Sequence, residues 1–171
     1  MSQVAFPGAQ PVTVATDQSF MRRCIELAEA ALERGETAVG SLLIRDGRII
    51  AEAGESTRTK HDPSAHAEVE AVRIACERQK SLDLAGCTLY TTVEPCVLCG
   101  YVIRRTGVDR IVYGVAAGQA GSITSRYSIL SDTTLAGWPP PPQITSGILS
   151  DECEIGSVAT RHAARIGFRS R

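Results

Sequence analysis

No stretch of this 171-residue chain approaches the roughly 20 consecutive apolar residues that a membrane-spanning helix needs. Its opening, MSQVAFPGAQPVTVATDQ, has neither the basic start nor the apolar segment of a secretory leader. Neither a membrane role nor export is expected, and a cytoplasmic location is. Excess charge is also missing. Eighteen Lys and Arg stand against 19 Asp and Glu, a net charge of −1. That balance argues against a surface built mainly for nucleic acid or anionic lipid, while leaving room for a local basic patch. There is no internal repeat and no second C-x-x-C. Six cysteines, at positions 24, 76, 87, 96, 99 and 153, are irregularly spaced. A chain this long buries a core without staples, so they are expected to be reduced thiols.

What is present reads as alternating helix and strand. Residues 1–16 lack a helical period and suggest a loose N-terminal arm, followed by a single domain over 17–171. From Asp17, the residues Phe20, Cys24, Leu27, Ala28, Ala31 and Leu32 fall on one helical face before Gly35. Two apolar runs, near 38–45 and 48–54, flank Asp46-Gly47, a pair that favours a tight hairpin. HDPSAHAEVEAVRIACERQK suggests a helix capped by Asp62 with Pro63 at its first position, because the Asp oxygen accepts free N–H groups and Pro has none to lose. CTLYTT and RIVYGV read as strands on either side of a helical CVLCGYVIRRTG. The alternation predicts an α/β sandwich with helices on both faces of a sheet. After Gly114 the pattern fades into a long irregular excursion whose prolines 139–142 exclude helix and central strand. A terminal helix with a basic tail closes the chain.

Cys96 and Cys99 raise the chemical question. Two cysteines three apart at a helix start suit a redox pair, a structural zinc clip or part of a catalytic metal site. A closed structural site wants four protein ligands. The chain instead offers HAE, with His66 and Glu68, 30 positions before Cys96. One imidazole and two thiolates hold zinc while leaving a fourth position for water, whose pKa the metal lowers, and a neighbouring carboxylate can then move the proton.

HAE followed by PCVLC resembles the H-x-E…P-C-x-x-C pattern of the zinc-dependent cytidine and nucleobase deaminase superfamily. The likeness extends through AVGSLLI, HDPSAHAEVEA, LYTTVEPC, RIVYGV and SGILSDEC, over roughly 36–115 and again from about 144. It is similar to the branch of tRNA adenosine deaminases, guanine deaminases and fungal-type cytosine deaminase. The resemblance implies a three-layer α/β sandwich with a mixed central sheet, and assembly as a homodimer. It implies one zinc per chain held by His66, Cys96 and Cys99, with Glu68 as proton shuttle. It also places the backbone about Ala67 and Pro95 where the reactive water and leaving amine are clamped.

One departure bears on substrate. The branch carries an Asn, 11 positions before the zinc His, that bonds the substrate ring; here that position is Glu55. An ionised carboxylate accepts and does not donate. It therefore favours a ring edge rich in N–H groups, as in guanine-like or aminotriazine-like compounds, although a solvated loop carboxylate is an alternative. Tyr101 could wall the pocket or lie in the core. Trp138, carried by the stiff proline run, could lid a flat ring or pack against a neighbouring subunit. The expected function is hydrolytic deamination of a small nucleobase, nucleoside or related ring, a small-molecule substrate, with release of ammonia. The alternatives are a tRNA-specific adenosine deaminase, helped by the basic tail and Arg104-Arg105, and a non-catalytic zinc-stabilised binding protein.

Overall fold

The computed structural model describes residues 14–154, with side chains from Asp17 onward. The expected arm lies outside the described residues except for 14–16, which are already helical. The outer part of the terminal segment, with its basic tail, is likewise outside them.

Helix α1 (Val14–Glu33) runs to a left-handed Gly35, as its one-sided apolar pattern predicts. Strands β1 (Gly40–Arg45) and β2 (Arg48–Gly54) form an antiparallel hairpin around Asp46 and Gly47, whose φ values of 51° and 72° belong to the turn that matches strand twist. Next come a single helical turn, α2 (Thr57–Lys60), helix α3 (Ala67–Gln79), strand β3 (Cys87–Val93), helix α4 (Val97–Thr106) and strand β4 (Arg110–Val115). A 3-10 turn at Gly118–Ala120 opens the irregular excursion, which ends in strand β5 (Gln143–Ser146). Residues 150–154 are helical.

The sheet has the order β2-β1-β3-β4-β5. The β1 pairings with β2 and β3 are antiparallel, and the last two pairings are parallel, so the mixed three-layer α/β reading is correct. Alternation along the strands feeds two cores. Leu42, Ile44, Tyr90 and Val112 pack with Met21 and Cys24 of α1 and with Cys153. Leu43, Leu89, Ile111 and Tyr113 pack with Val69 and Val72 of α3 and Ile103 of α4. Both faces are covered, which is why β1, β3 and β4 bury residues on both sides, Ser41, Thr91 and Thr92 among them. Helix α1 lies so close to β1 that a Cβ on Gly40 would fall 2.0 Å from the Cys24 carbonyl oxygen, so this position needs glycine. A buried cluster ties the layers: Tyr90 and Arg110 both bond Asp17, at 2.7 Å and at 3.0 and 2.7 Å.

Two expectations need correction. Asp62 does not cap the helix that carries the HAE residues. Its Oδ1 accepts Ser64 N–H and Oγ–H at 2.8 and 2.7 Å, closing a local turn, and α3 begins only at Ala67. An Asp side chain satisfied two residues on is a turn device, and the sequence signal is shared with a helix cap. The fifth strand was also missed: Gln143–Ser146 follows the prolines directly and pairs with β4 at the sheet edge.

Candidate active site

The topology brings two helix starts together where β3 and β4 end. His66 is the N-cap residue of α3 and Cys96 that of α4, both with extended backbone, so each side chain projects from the mouth of its helix. Cys99 follows in the first turn of α4 and is fully buried. His66 Nδ1 lies 3.6 Å from Cys96 Sγ and 3.4 Å from Cys99 Sγ, and the two sulfurs are 3.6 Å apart. Tetrahedral zinc, with Zn–S near 2.3 Å and Zn–N near 2.0–2.1 Å, requires separations of about 3.6 Å between N and S and about 3.8 Å between sulfurs. The donor set therefore fits a zinc ion with adjustments of roughly a few tenths of an ångström. Among the described residues this is the cluster of His, Cys and acidic groups close enough to hold a metal.

The protonation pattern matches that fit. Cys99 shares its proton with Cys96, which with the neighbouring His66 draws the Cys96 thiol down to about 4, while Cys99 itself is driven up. His66 beside that thiolate rises to about 9. Zinc takes the place of such shared protons, because its ligands bind as thiolates and neutral imidazole. Both helix N-termini add positive potential toward the sulfurs.

Glu68, the second residue of α3, is 4% exposed and its Oε2 lies 3.6 Å from Cys99 Sγ. Burial pushes its carboxyl up to about 7, against the pull of its own backbone N–H. That places a proton carrier near neutrality beside the metal ligands. Glu55 is buried too, and burial raises its pKa. Its Oε2 accepts the Ala67 N–H at 3.1 Å, satisfying one of the free amides at the start of α3. The Ala67 amide expected to clamp a reactant is thus already bonded. So is the Pro95 carbonyl, which receives Ser122 N–H at 2.9 Å and Ser122 Oγ–H at 2.6 Å.

Tyr101 and Trp138 sit together elsewhere. Their rings meet edge to face with centroids 5.3 Å apart, and Tyr101 is 52% exposed. Tyr101 lies about 200° around α4 from the inward Cys99. The pair therefore occupies the outer side of the helix, with the Arg105 guanidinium 5.1 Å over the Trp138 ring. Its neighbour Arg104 is not a surface charge. It is buried and donates to the carbonyls of Pro139, Ile129 and Asp132 at 2.8, 3.1 and 2.9 Å. His61 is exposed at the left-handed end of α2.

Sequence reasoning passed over several buried polar residues that shape the site. Glu36 accepts Thr59 N–H and Oγ–H at 2.7 and 2.6 Å and Arg58 N–H at 3.0 Å, holding the loop that leads to His66. Glu94 does the same for residues 117–124. An acidic residue closing the apolar strand LYTTV, just before Pro95, is the signal that could have flagged it. A cavity of about 860 Å³ opens beside Val97, between Gly118, Thr124, Arg126 and Tyr127.

Comparisons with known proteins agree with this geometry. Residues 14–115 match the model of the cytidine and deoxycytidylate deaminase zinc-binding region. The tRNA-specific adenosine deaminase of Haemophilus influenzae is 36% identical over 138 residues, covering 80% of this chain and 78% of that protein. A solved structure from work on A-to-I editing by tRNA:A34 deaminases at the wobble position aligns with a TM-score of 0.76 and 34% identity, over 81% of this chain and 98% of that one. A guanine deaminase from Bacillus subtilis aligns with a TM-score of 0.56 and 35% identity, over 58% and 64%.

Proposed function

Since the chain belongs to the cytidine and deoxycytidylate deaminase zinc-binding family and is a zinc-dependent deaminase, we propose that its substrate is an adenosine in tRNA, converted to inosine with release of ammonia. This is the reading first held as an alternative. The observation that carries it is the likeness to a tRNA:A34 deaminase over 98% of that protein's chain. A tRNA partner outweighs the expectation drawn from net charge, because a patch around one pocket suffices to hold a flipped base.

His66, Cys96 and Cys99 would hold the zinc, which when bound acidifies water and stabilises charge developing at the reacting carbon. Glu68 moves the protons. Its carboxylate takes one from the attacking water and passes it to the ring nitrogen next to the amino-bearing carbon; a second transfer goes to the departing amine. Burial serves this role by raising the carboxyl's pKa and keeping it out of competing solvent. One water enters and one ammonia leaves for each base.

A second reading retains the small amino-oxo ring, such as guanine. The specific observation in its favour is Glu55, an acceptor-only group buried next to the metal-ligand segment. For the outer side of α4, where Val97, Leu98 and Tyr101 are exposed, the proposed cover is a second copy of the chain. Light scattering then gives twice the 18.2 kDa of one chain. Incubating zinc-loaded protein with tRNA, free adenosine, guanine and an aminotriazine, and measuring ammonia from each, separates the readings: tRNA turnover with little from the free rings supports the first, and the reverse supports the second.

A further inference from the structure

Glu94 stands outside the metal cluster, yet its carboxylate holds a loop, residues 117–124, that turns back onto the start of α4. It is 1% exposed and lies between the end of β3 and Pro95. One carboxylate oxygen accepts the N–H groups of Ile123 and Thr124, both at 2.8 Å; the other accepts Ala117 N–H at 3.0 Å and Thr124 Oγ–H at 2.7 Å. The carboxylate fits against Gly121 so tightly that a Cβ there would fall 2.3 Å from Oε1. The segment it holds turns back onto the metal ligands. Gly121 bridges to Cys96, and Ser122 gives both its donors, N–H and Oγ–H, to the Pro95 carbonyl. Ser122 also packs against the first turn of α4, since a Cβ on Gly100 would come within 2.5 Å of its Cβ.

We propose that Glu94 is a positioning residue for the metal site: by clasping residues 117–124 it seats Ser122 on Pro95 and on α4, and so fixes where the Cys96 and Cys99 sulfurs point. The chain of contact is short. Carboxylate holds loop, loop holds Pro95 and Gly100, and those two flank the ligands. Replacing the carboxylate by an amide of equal size puts an NH₂ where two donors already point, which must loosen the loop at that oxygen.

The test uses the zinc-loaded full chain and reads zinc release to a chromophoric chelator, at a temperature where wild type and variants are fully folded by circular dichroism. Glu94→Gln is expected to release zinc about 10- to 100-fold faster, the size of the affinity loss that follows removal of outer-shell partners at metal sites. Cobalt(II)-substituted protein should show altered thiolate-to-metal bands. Ser122→Ala should speed release as well, and its effect combined with Glu94→Gln should fall well short of the product of the two, because both act through the Pro95 contact. Release and cobalt spectrum unchanged in Glu94→Gln, or two fully independent effects, would overturn the proposal and leave Glu94 as a stability residue only. If Glu94→Gln does not fold, Thr124→Val, which removes one donor, decides the matter: faster release supports the proposal, and a wild-type rate ends it.

Discussion

Arg104 and Arg105 are adjacent in sequence and should behave oppositely on replacement. Arg104 is 3% exposed and makes three short charge-assisted bonds, to the carbonyls of Pro139, Ile129 and Asp132. Bonds to charged groups contribute about 1.5–3 kcal/mol each net of water, an upper bound of roughly 4.5–9 kcal/mol were the three independent. They share one guanidinium whose burial lowers its pKa, so the sum is not reached. The net loss in Arg104→Met should be about 3 kcal/mol, since the three carbonyls lose their donor and part of the excursion can rehydrate. For a chain of this size that lowers Tm by about 6–12 °C. Arg105 is exposed and rests on the Trp138 ring, a contact of about 0.5–1 kcal/mol, so Arg105→Met should shift Tm by less than about 4 °C. Thermal unfolding of the zinc-loaded variants by circular dichroism measures both, and limited proteolysis should find new cleavage in 129–139 for Arg104→Met alone. Equal shifts in the two variants would refute the argument.

Glu68→Gln should keep one zinc per chain and lose about 10²–10⁴-fold in kcat, the range of a proton-transfer group; metal analysis beside steady-state kinetics checks it, and turnover at the wild-type rate would remove Glu68 from the chemistry. Glu36 and Glu94 both have folded pKa values below 4.5, so each contributes stability that is complete above about pH 4.5 and is lost as pH falls through its lowered folded value. Urea midpoints from pH 7 to pH 3 should therefore fall more gently in Glu36→Gln than in wild type, and parallel curves would contradict this assignment. Glu55→Gln should lower kcat/KM about 10- to 100-fold on a ring that presents N–H groups to the carboxylate, and much less on one that presents a carbonyl. Equal effects on a matched pair of rings would leave Glu55 only its bond to the Ala67 amide.

The metal cluster was legible because ligand chemistry is written in local spacing. C-x-x-C at a helix start and H-x-E at another need only the fold to bring two termini together, and the β3-α4-β4 alternation implied that it would. Asp46-Gly47 was legible for a similar reason, since both residues accept positive φ. The start of α3 was not, because Asp62 serves a turn and a cap with the same atoms. Strand β5 was hidden because four residues after a proline run carry no period of their own, and their partner is β4, more than 25 residues away. The burial of Glu36, Glu94 and Arg104 escaped notice because their partners lie 21 to 35 residues distant and no pattern marks a carboxylate or guanidinium as interior. Arg104 in particular looked like surface charge until the carbonyls around it were located.

The proposed activity is deamination of adenosine in tRNA by Glu68, with zinc held by His66, Cys96 and Cys99. The direct measurement is inosine, counted by mass spectrometry of nucleosides after zinc-loaded wild-type protein and Glu68→Gln are each incubated with unmodified tRNA. Stoichiometric inosine at one position with wild type, and almost none with Glu68→Gln, is the predicted result; no inosine from wild-type protein that carries a full zinc complement and deaminates a free base would contradict it.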